Sequence, residues 1–206
     1  NGQGPVITEE AIQALYEKLD KLEEGDVLIL AGSIPNTLPE DIYERILERL
    51  SGKEIRFVVD ATKDLLLKVM KYHPFLIKPN EHELADWAGQ PLESLEALMA
   101  AAESLQQRYD IPHVVVSRGA DGVLWRAGSS WWQAKPPRMS VVSTVGAGDS
   151  MVAGLAWGLS QSWPMEQILR LASAVSALAV TQIGVGVTDP QQLASLMASI
   201  EVQQLS

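Results

Sequence analysis

Two spacings of apolar residues alternate along the chain, one typical of amphipathic helices and one typical of buried strands. The helical spacing predicts helices over residues 8–24, 39–50, 62–71, 80–88, 94–108, 150–160, 165–182 and 188–199. Short apolar or β-branched runs predict strands at residues 27–30, 55–59, 75–77, 114–116, 123–126, 131–134 and 140–142. Strands that alternate with helices predict an α/β fold, with a mostly parallel sheet, helices on both faces and one antiparallel hairpin at an edge.

Length and composition narrow the class of protein further. A chain of 206 residues can bury one sizeable core, which predicts a single domain over residues 1–206. The formal net charge of −10 argues against nucleic acid or an anionic membrane surface as a partner. The chain has no cysteine and no apolar run of membrane length, which fits a protein of the reducing cytoplasm.

The most informative segment is a glycine turn before a helix of small residues. Gly146, Ala147 and Gly148 precede Asp149, and the helical pattern begins at Ser150. Backbone N–H groups at a helix start have no partner within the helix, so such a turn suits a phosphate or a developing anion. Asp149 could accept a proton from a hydroxyl group beside that anion. The alternative interpretation is a tight turn in which Asp149 only favours the helix start.

Two other phosphate-binding motifs do not fit this segment. A dinucleotide fingerprint needs a third glycine where this chain has Met151, and the acidic Glu166 follows Trp163-Pro164, so it opens a helix. A P-loop needs Gly-Lys-Ser/Thr after the glycines, which is absent here. A dinucleotide-dependent oxidoreductase is therefore disfavoured.

A second polar segment follows the strand predicted at residues 75–77. Asn80 and Glu83 are three residues apart and share one face of the first helical turn, with Lys78 just before them. An amide and a carboxylate on one face can hold waters around Mg²⁺. The alternative is a plain capping box in which Asn80 caps the helix and Glu83 reaches back.

Two further loops follow predicted strands. The first is a glycine loop that could approach a nucleotide or form a hairpin turn, and it consists of Ser117, Arg118, Gly119, Ala120, Asp121 and Gly122. The second is a bend that contains Ser33, at the carboxyl end of a strand, where α/β proteins bind ligands. Lys78 and Arg118 are candidate phosphate-binding cations, or alternatively solvated surface charges.

These four segments, in this order, resemble the PfkB (ribokinase-like) family of carbohydrate kinases. The matching sequences are AGSIP, KPNEHE, SRGADG and STVGAGDS. The resemblance covers nearly the whole chain and corresponds to about the last two-thirds of a family member. It implies that the first strands of the sheet, a glycine pair, an acidic sugar-binding residue and a small β lid are missing. Full-length relatives use that lid to form a homodimer.

The resemblance also implies a reaction and roles for residues. The implied reaction is transfer of a phosphoryl group from ATP to fructose 1-phosphate, giving fructose 1,6-bisphosphate, with tagatose 6-phosphate as the alternative substrate. Asp149 would be the base, Ser33 would touch the sugar phosphate, and Lys78 would balance phosphate charge. The transferring group would bind the N–H groups of Gly146, Ala147 and Gly148. Asn80 and Glu83 would hold Mg²⁺ through water, while residues 117–122 and Thr144 would line the nucleotide.

Some relatives hold a monovalent cation, which would be K⁺, at positions that match Ser143, Val145, Ala179 and Gly184. Gln182 falls where some relatives carry Asn, which weakens that expectation. A hypothesis of another class is that this chain is a nucleotide-binding or structural module with no activity alone. In that case, apolar surface should be exposed where the missing strands would pair.

Overall fold

The computed structural model describes residues 6–32, 34–61, 63–182 and 186–205. Its strands are β1 (Val27–Ala31), β2 (Arg56–Asp60), β3 (Leu76–Ile77), β4 (His113–Ser117), β5 (Val123–Ala127), β6 (Ser130–Lys135) and β7 (Glu201–Leu205). Its α-helices are α1 (Glu9–Leu19), α2 (Ile42–Leu50), α3 (Lys63–Val69), α4 (Glu81–Ala88), α5 (Leu95–Tyr109), α6 (Ala147–Ser160), α7 (Met165–Val180) and α8 (Pro190–Ser199). Short 3₁₀ turns lie at Met70–Tyr72 and Gly119–Asp121.

The strands form one sheet in which their order follows the sequence, from β1 to β7. Neighbouring strands from β1 to β4 are parallel, and those from β4 to β7 are antiparallel. The predicted α/β class is confirmed. The antiparallel part is longer than the predicted hairpin because β7 pairs with the outer side of β6.

Helices cover both faces of the sheet, as the strand patterns predict. Alternate strand residues point to opposite faces, and the two faces carry separate clusters of buried residues. One cluster packs Val59 and Ile77 against α1 to α5. The other packs Val58, Leu76 and Trp125 against α6, α7 and α8. The runs of valine and leucine in β2 to β4 follow from this, because a strand covered on both faces has no polar side.

Three element predictions need correction. Residues 140–142 form no strand; instead the N–H groups of Val142 and Ser143 donate to the carbonyl of Val180, at 2.7 and 3.2 Å. Helix α6 begins at Ala147 rather than Ser150, so Gly148 and Asp149 lie in its first turn. Strand β7 is missing from the prediction because its sequence, EVQQL, has neither an apolar run nor β-branched pairs.

Close packing on α7 fixes the position of α6. A Cβ atom on Gly154 would lie 2.7 Å from the Cα of Ala172, and one on Gly158 would lie 2.7 Å from Cγ1 of Ile168. The two helices approach each other where α6 has no side chains. The glycine turn at the start of α6 is therefore held by a rigid pair of helices.

Strand β1 is an edge of the described sheet, although all five of its residues are apolar. Ile29 is 39% exposed, and Trp157 on α6 is 57% exposed. Parallel strands with this composition are normally covered by neighbours. This edge of the described sheet therefore carries exposed apolar surface.

His113 at the start of β4 makes the stability of the fold depend on pH. Its ring packs edge-on against Phe75 at 4.7 Å between centroids, and its Nδ1 atom finds no hydrogen-bond partner among the described residues. Burial, and secondarily the charge of Arg56, lower the pKa of His113 from 6.5 to about 4. Below about pH 6.5, His113 of the unfolded chain binds a proton. Burial keeps His113 of the folded chain neutral down to about pH 4. The stabilisation is therefore complete above about pH 6.5 and is lost as the pH falls towards 4.

We expect His113→Phe to lose less stability on acidification than the parent chain. The expected difference is about 2 kcal/mol in the free energy of unfolding between pH 7 and pH 4.5. Urea denaturation at both pH values measures it, and comparison between the two proteins cancels the titration of the carboxylates they share. Equal losses would mean that His113 is protonated in the folded state.

Candidate functional site

The sequence-predicted segments meet at one end of the sheet. Strands β1, β2 and β3 are parallel, so the residues that follow them lie at the same edge, opposite the start of α6. Asp60 ends β2, and Lys78 follows β3 directly. Asp60 is not among the site residues that the sequence motifs predict. Its position in the sequence could have indicated it, because a carboxylate at the end of a buried parallel strand lies where α/β proteins bind ligands.

The glycine turn leaves backbone donors unpaired. Gly146 is the N-cap of α6 with φ of 81°, a left-handed conformation that favours glycine. No described residue accepts a hydrogen bond from the N–H of Gly146, Gly148 or Asp149. The N–H of Ala147 donates to Thr144 O over a long 3.4 Å, so it is less available than the sequence suggested. Three free amides and the helix dipole are features that suit the binding of an anion.

Asp149 stands beside these amides, and its side chain is exposed. Its negative charge acts on two partly buried neighbours, Tyr43 and Asp60. Burial raises the pKa of the Tyr43 hydroxyl, and the carboxylates of Asp60 and Asp149 raise it further. Tyr43 donates to the carbonyl of Ala31 at 2.9 Å, which ties α2 to the end of β1. Asp149 is thus exposed at the sheet edge and is not sealed in packing.

Lys78 is buried and paired, which rules out the alternative of a solvated surface charge. Its side chain is 7% exposed, and its Nζ lies 3.2 Å from Oδ2 of Asp60. A Cβ atom on Gly148 would lie 3.5 Å from each of these two atoms. The ion pair therefore lies directly beneath the first turn of α6.

The predicted capping box at α4 is present. The N–H of Glu83 donates to Oδ1 of Asn80, and the N–H of Asn80 donates to Oε2 of Glu83, each at 2.9 Å. The capping box leaves room for a role in holding Mg²⁺, because the side chains of Asn80 and Glu83 each keep one further polar atom. Their role in holding Mg²⁺ through water stays a prediction.

The glycine loop at residues 117–122 lies next to this cap. Asn80 pairs with Ser117 in an isolated parallel bridge, and Ser117 N–H donates to Pro79 O at 3.0 Å. Nε of Arg118 lies 2.9 Å from Oε1 of Glu81. Arg118 is thus held by a partner on α4 rather than extended into solvent. The loop also joins β4 to β5 as a hairpin, so the structural interpretation of this motif holds.

The positions expected to hold a monovalent cation are only partly described. Ser143 and Ala179 come near each other because Ser143 N–H donates to the carbonyl of Val180. Ser143 Oγ accepts from Val145 N–H at 3.2 Å. Gly184 lies outside the described residues, as does Ser33, the residue expected to touch the sugar phosphate.

Two negative findings apply to the described ranges, 6–32, 34–61, 63–182 and 186–205. Within them, no three His, Cys, Asp or Glu side chains cluster so that they could hold a metal ion. Likewise, none of the helices found there has the length and apolar character needed to cross a bilayer.

A parallel sheet edge that faces a helix start with free amides, a buried lysine and a carboxylate is an arrangement typical of phosphate-binding sites in α/β proteins. Comparison with known sequences agrees. The sequence model of the pfkB family of carbohydrate kinases matches residues 3–192. The chain belongs to this family.

Individual relatives within the family have more specific names. The chain is 42% identical over 206 residues to 1-phosphofructokinase of Vibrio cholerae, covering all of this chain and 65% of that protein. It is 41% identical over 171 residues to 1-phosphofructokinase of Bacillus subtilis, covering 83% of this chain and 56% of that protein. The crystal structure of phosphofructokinase-2 from Escherichia coli in complex with potassium matches with a TM-score of 0.85 and 26% identity, over 96% of this chain and 64% of that one. The chain therefore spans less than two-thirds of the length of these relatives.

Proposed function

We propose that this chain is the nucleotide-binding and phosphoryl-transferring part of an ATP-dependent sugar-phosphate kinase. The observation that carries the proposal is the meeting of free amides at Gly146 and Gly148 with the ammonium of Lys78 and the carboxylate of Asp149. Phosphoryl transfer needs cations and fixed donors around the moving group and a base beside the attacking hydroxyl. The family membership supports the same reaction class.

In this proposal, Asp149 accepts the proton of the sugar hydroxyl, whose oxygen attacks the terminal phosphorus of ATP. The bond to the ADP oxygen breaks, and the free amides of the glycine turn stabilise charge on the group in transit. Asn80 and Glu83 would hold Mg²⁺ through water, and the ion would neutralise phosphate charge. Residues 117–122 and Thr144 line the nucleotide.

The proposed sugar phosphate is fructose 1-phosphate, and the support for it is the identity with the two 1-phosphofructokinases. Tagatose 6-phosphate is the alternative. A potassium site that includes Ser143, Val145 and Ala179 is proposed by analogy with the potassium complex of the 26%-identical kinase. The relatives are longer than this chain, so the substrate pocket of the whole protein would include further residues.

The test is a phosphorylation assay with ATP and a panel of fructose 1-phosphate, tagatose 6-phosphate, fructose 6-phosphate and fructose. It uses a protein that joins this chain to the segment by which its relatives are longer, hereafter the extended protein. We expect kcat/KM for fructose 1-phosphate to exceed each other value at least about tenfold. A higher value for tagatose 6-phosphate would overturn the substrate but keep the kinase.

The same assay on residues 1–206 alone tests the module hypothesis, which the open edge at β1 favours. We expect this chain to bind ATP and to form no fructose 1,6-bisphosphate. Product formation by the chain alone would rule out a purely nucleotide-binding role. An extended protein that phosphorylates nothing in the panel would overturn the kinase proposal.

A further inference from the structure

The Asp60–Lys78 ion pair is the strongest feature of the site to which the proposed reaction assigns no complete role. The backbone N–H of Lys78 donates to the carbonyl of Val59 at 3.1 Å, which brings the ends of β2 and β3 side by side. Asp60 and Lys78 therefore project from neighbouring parallel strands at the edge that faces α6. The carboxylate and the ammonium meet at 3.2 Å, with side chains 19% and 7% exposed.

The ammonium has donors to spare. A lysine ammonium can donate three hydrogen bonds, and in the part of the chain that the structure describes Asp60 is its one charged partner. The pair lies 3.5 Å from the position that a Cβ atom on Gly148 would take. Because Gly148 has no side chain, nothing of that residue separates the ammonium from the free amides of the glycine turn.

Stability does not explain the pair. Burial raises the pKa of the Asp60 carboxyl, the Lys78 ammonium lowers it, and the charge of Asp149 raises it again; the net direction is upwards. The attraction to Lys78 thus fails to offset the cost of burying the carboxylate beside a second negative charge. Buried pairs of this kind are often no more stabilising than apolar residues of similar size. An anion bound at the glycine turn would be stabilised by the Lys78 ammonium, which the ion pair with Asp60 holds in place at a cost in stability.

We propose that Asp60 is a positioning residue: it holds the Lys78 ammonium beneath the glycine turn of α6, so that the terminal phosphate of ATP meets a fixed cation. The inference rests on the kinase proposed above. Asp60 does not touch the phosphate, because two anions would repel each other. It acts through Lys78, whose long flexible side chain would otherwise adopt several rotamers.

The test replaces Asp60 by Asn in the extended protein, which keeps the size of the side chain and removes its charge. We expect kcat to fall about 10- to 100-fold, because a misplaced phosphate-binding group lowers the rate of transfer. We expect KM for ATP to change less than about threefold, because the lost anchor and the lost repulsion of phosphate act in opposite directions. Lys78→Met should lower kcat and also raise KM for ATP, since the cation itself is gone.

Asp20→Asn is the matched control, because Asp20 also pairs with a cation, Arg49, at 2.6 Å but lies outside the site. Its kcat should equal that of the parent. Thermal unfolding of all variants separates loss of positioning from loss of fold: Asp60→Asn should keep a cooperative transition while kcat falls.

Three results would overturn the inference. In the first, Asp60→Asn keeps kcat within about threefold of the parent. In the second, excess Mg²⁺ restores kcat, which would make Asp60 part of the metal shell. In the third, KM for ATP rises as much as kcat falls. These outcomes presuppose a parent that phosphorylates a sugar phosphate. If the parent fails on every sugar phosphate, the proposed function fails first and this inference fails with it.

Discussion

Replacing Asp149 by Asn is expected to lower kcat of the extended protein at least about 100-fold, in line with the loss of a general base. Asn keeps the shape of the side chain and its place in the first turn of α6, but it cannot accept the hydroxyl proton. The free N–H groups of Gly146 and Gly148 are backbone donors and remain. ATP affinity should therefore stay within about threefold of the parent value.

The measurement is steady-state kinetics with fructose 1-phosphate, together with calorimetric titration of ATP. Glu166→Gln is the matched control, because Glu166 is also an acid in the first turn of a helix, α7, but pairs with Arg170 away from the site. This variant shows how far kcat falls when an acid is lost from the start of a helix outside the site. Turnover close to the parent with unchanged ATP affinity would remove Asp149 from the role of base.

Local pattern predicts most of this fold because most of its elements are built from local signals. Helix α4 has its N-cap at Asn80, its capping box to Glu83 and its end at Gly89, all readable within ten residues. Likewise Ile42, Ile46, Leu47 and Leu50 have helical spacing and are all buried in α2. In both cases the side chains that define the element also position it.

The errors fall where a distant partner decides the structure. Val141 and Val142 form a β-branched pair, but no strand among the described residues pairs with them and they are exposed. Strand β7 is polar, yet all five of its residues pair with β6, from Trp131 to Lys135. Helix α6 has one glycine at its N-cap, Gly146, and another in its first turn, Gly148. This is a weak helix sequence that contacts between α6 and α7 nevertheless hold in place.

The candidate site also has parts that local sequence predicts and a part that a distant partner decides. The glycine turn and the capping box are contiguous motifs, so their chemistry can be inferred from the sequence. The Asp60–Lys78 pair depends on the register of β2 against β3, which sequence spacing does not give. Only the parallel pairing brings a carboxylate and an ammonium that are 18 positions apart in sequence to 3.2 Å.

Gly122→Ala is expected to destabilise the fold by about 4 kcal/mol, the sum of backbone strain and a steric clash. Gly122 has φ of 87° and ψ of −131°, a conformation that is essentially restricted to glycine. A Cβ atom there would lie 2.0 Å from the carbonyl oxygen of Ala134, which is backbone of β6 and cannot rotate away. The loop between β4 and β5 would have to open.

Gly128→Ala, in the turn between β5 and β6, is the matched control. Gly128 also has positive φ, at 56°, but a Cβ atom there would meet no atom within 4 Å. We expect it to cost only about 1 to 2 kcal/mol, the strain of a left-handed residue. Urea denaturation of both variants, with ATP titration of the folded protein, separates the two roles of the glycine loop. If Gly122→Ala unfolds like Gly128→Ala and loses only ATP affinity, nucleotide approach rather than hairpin packing requires this glycine.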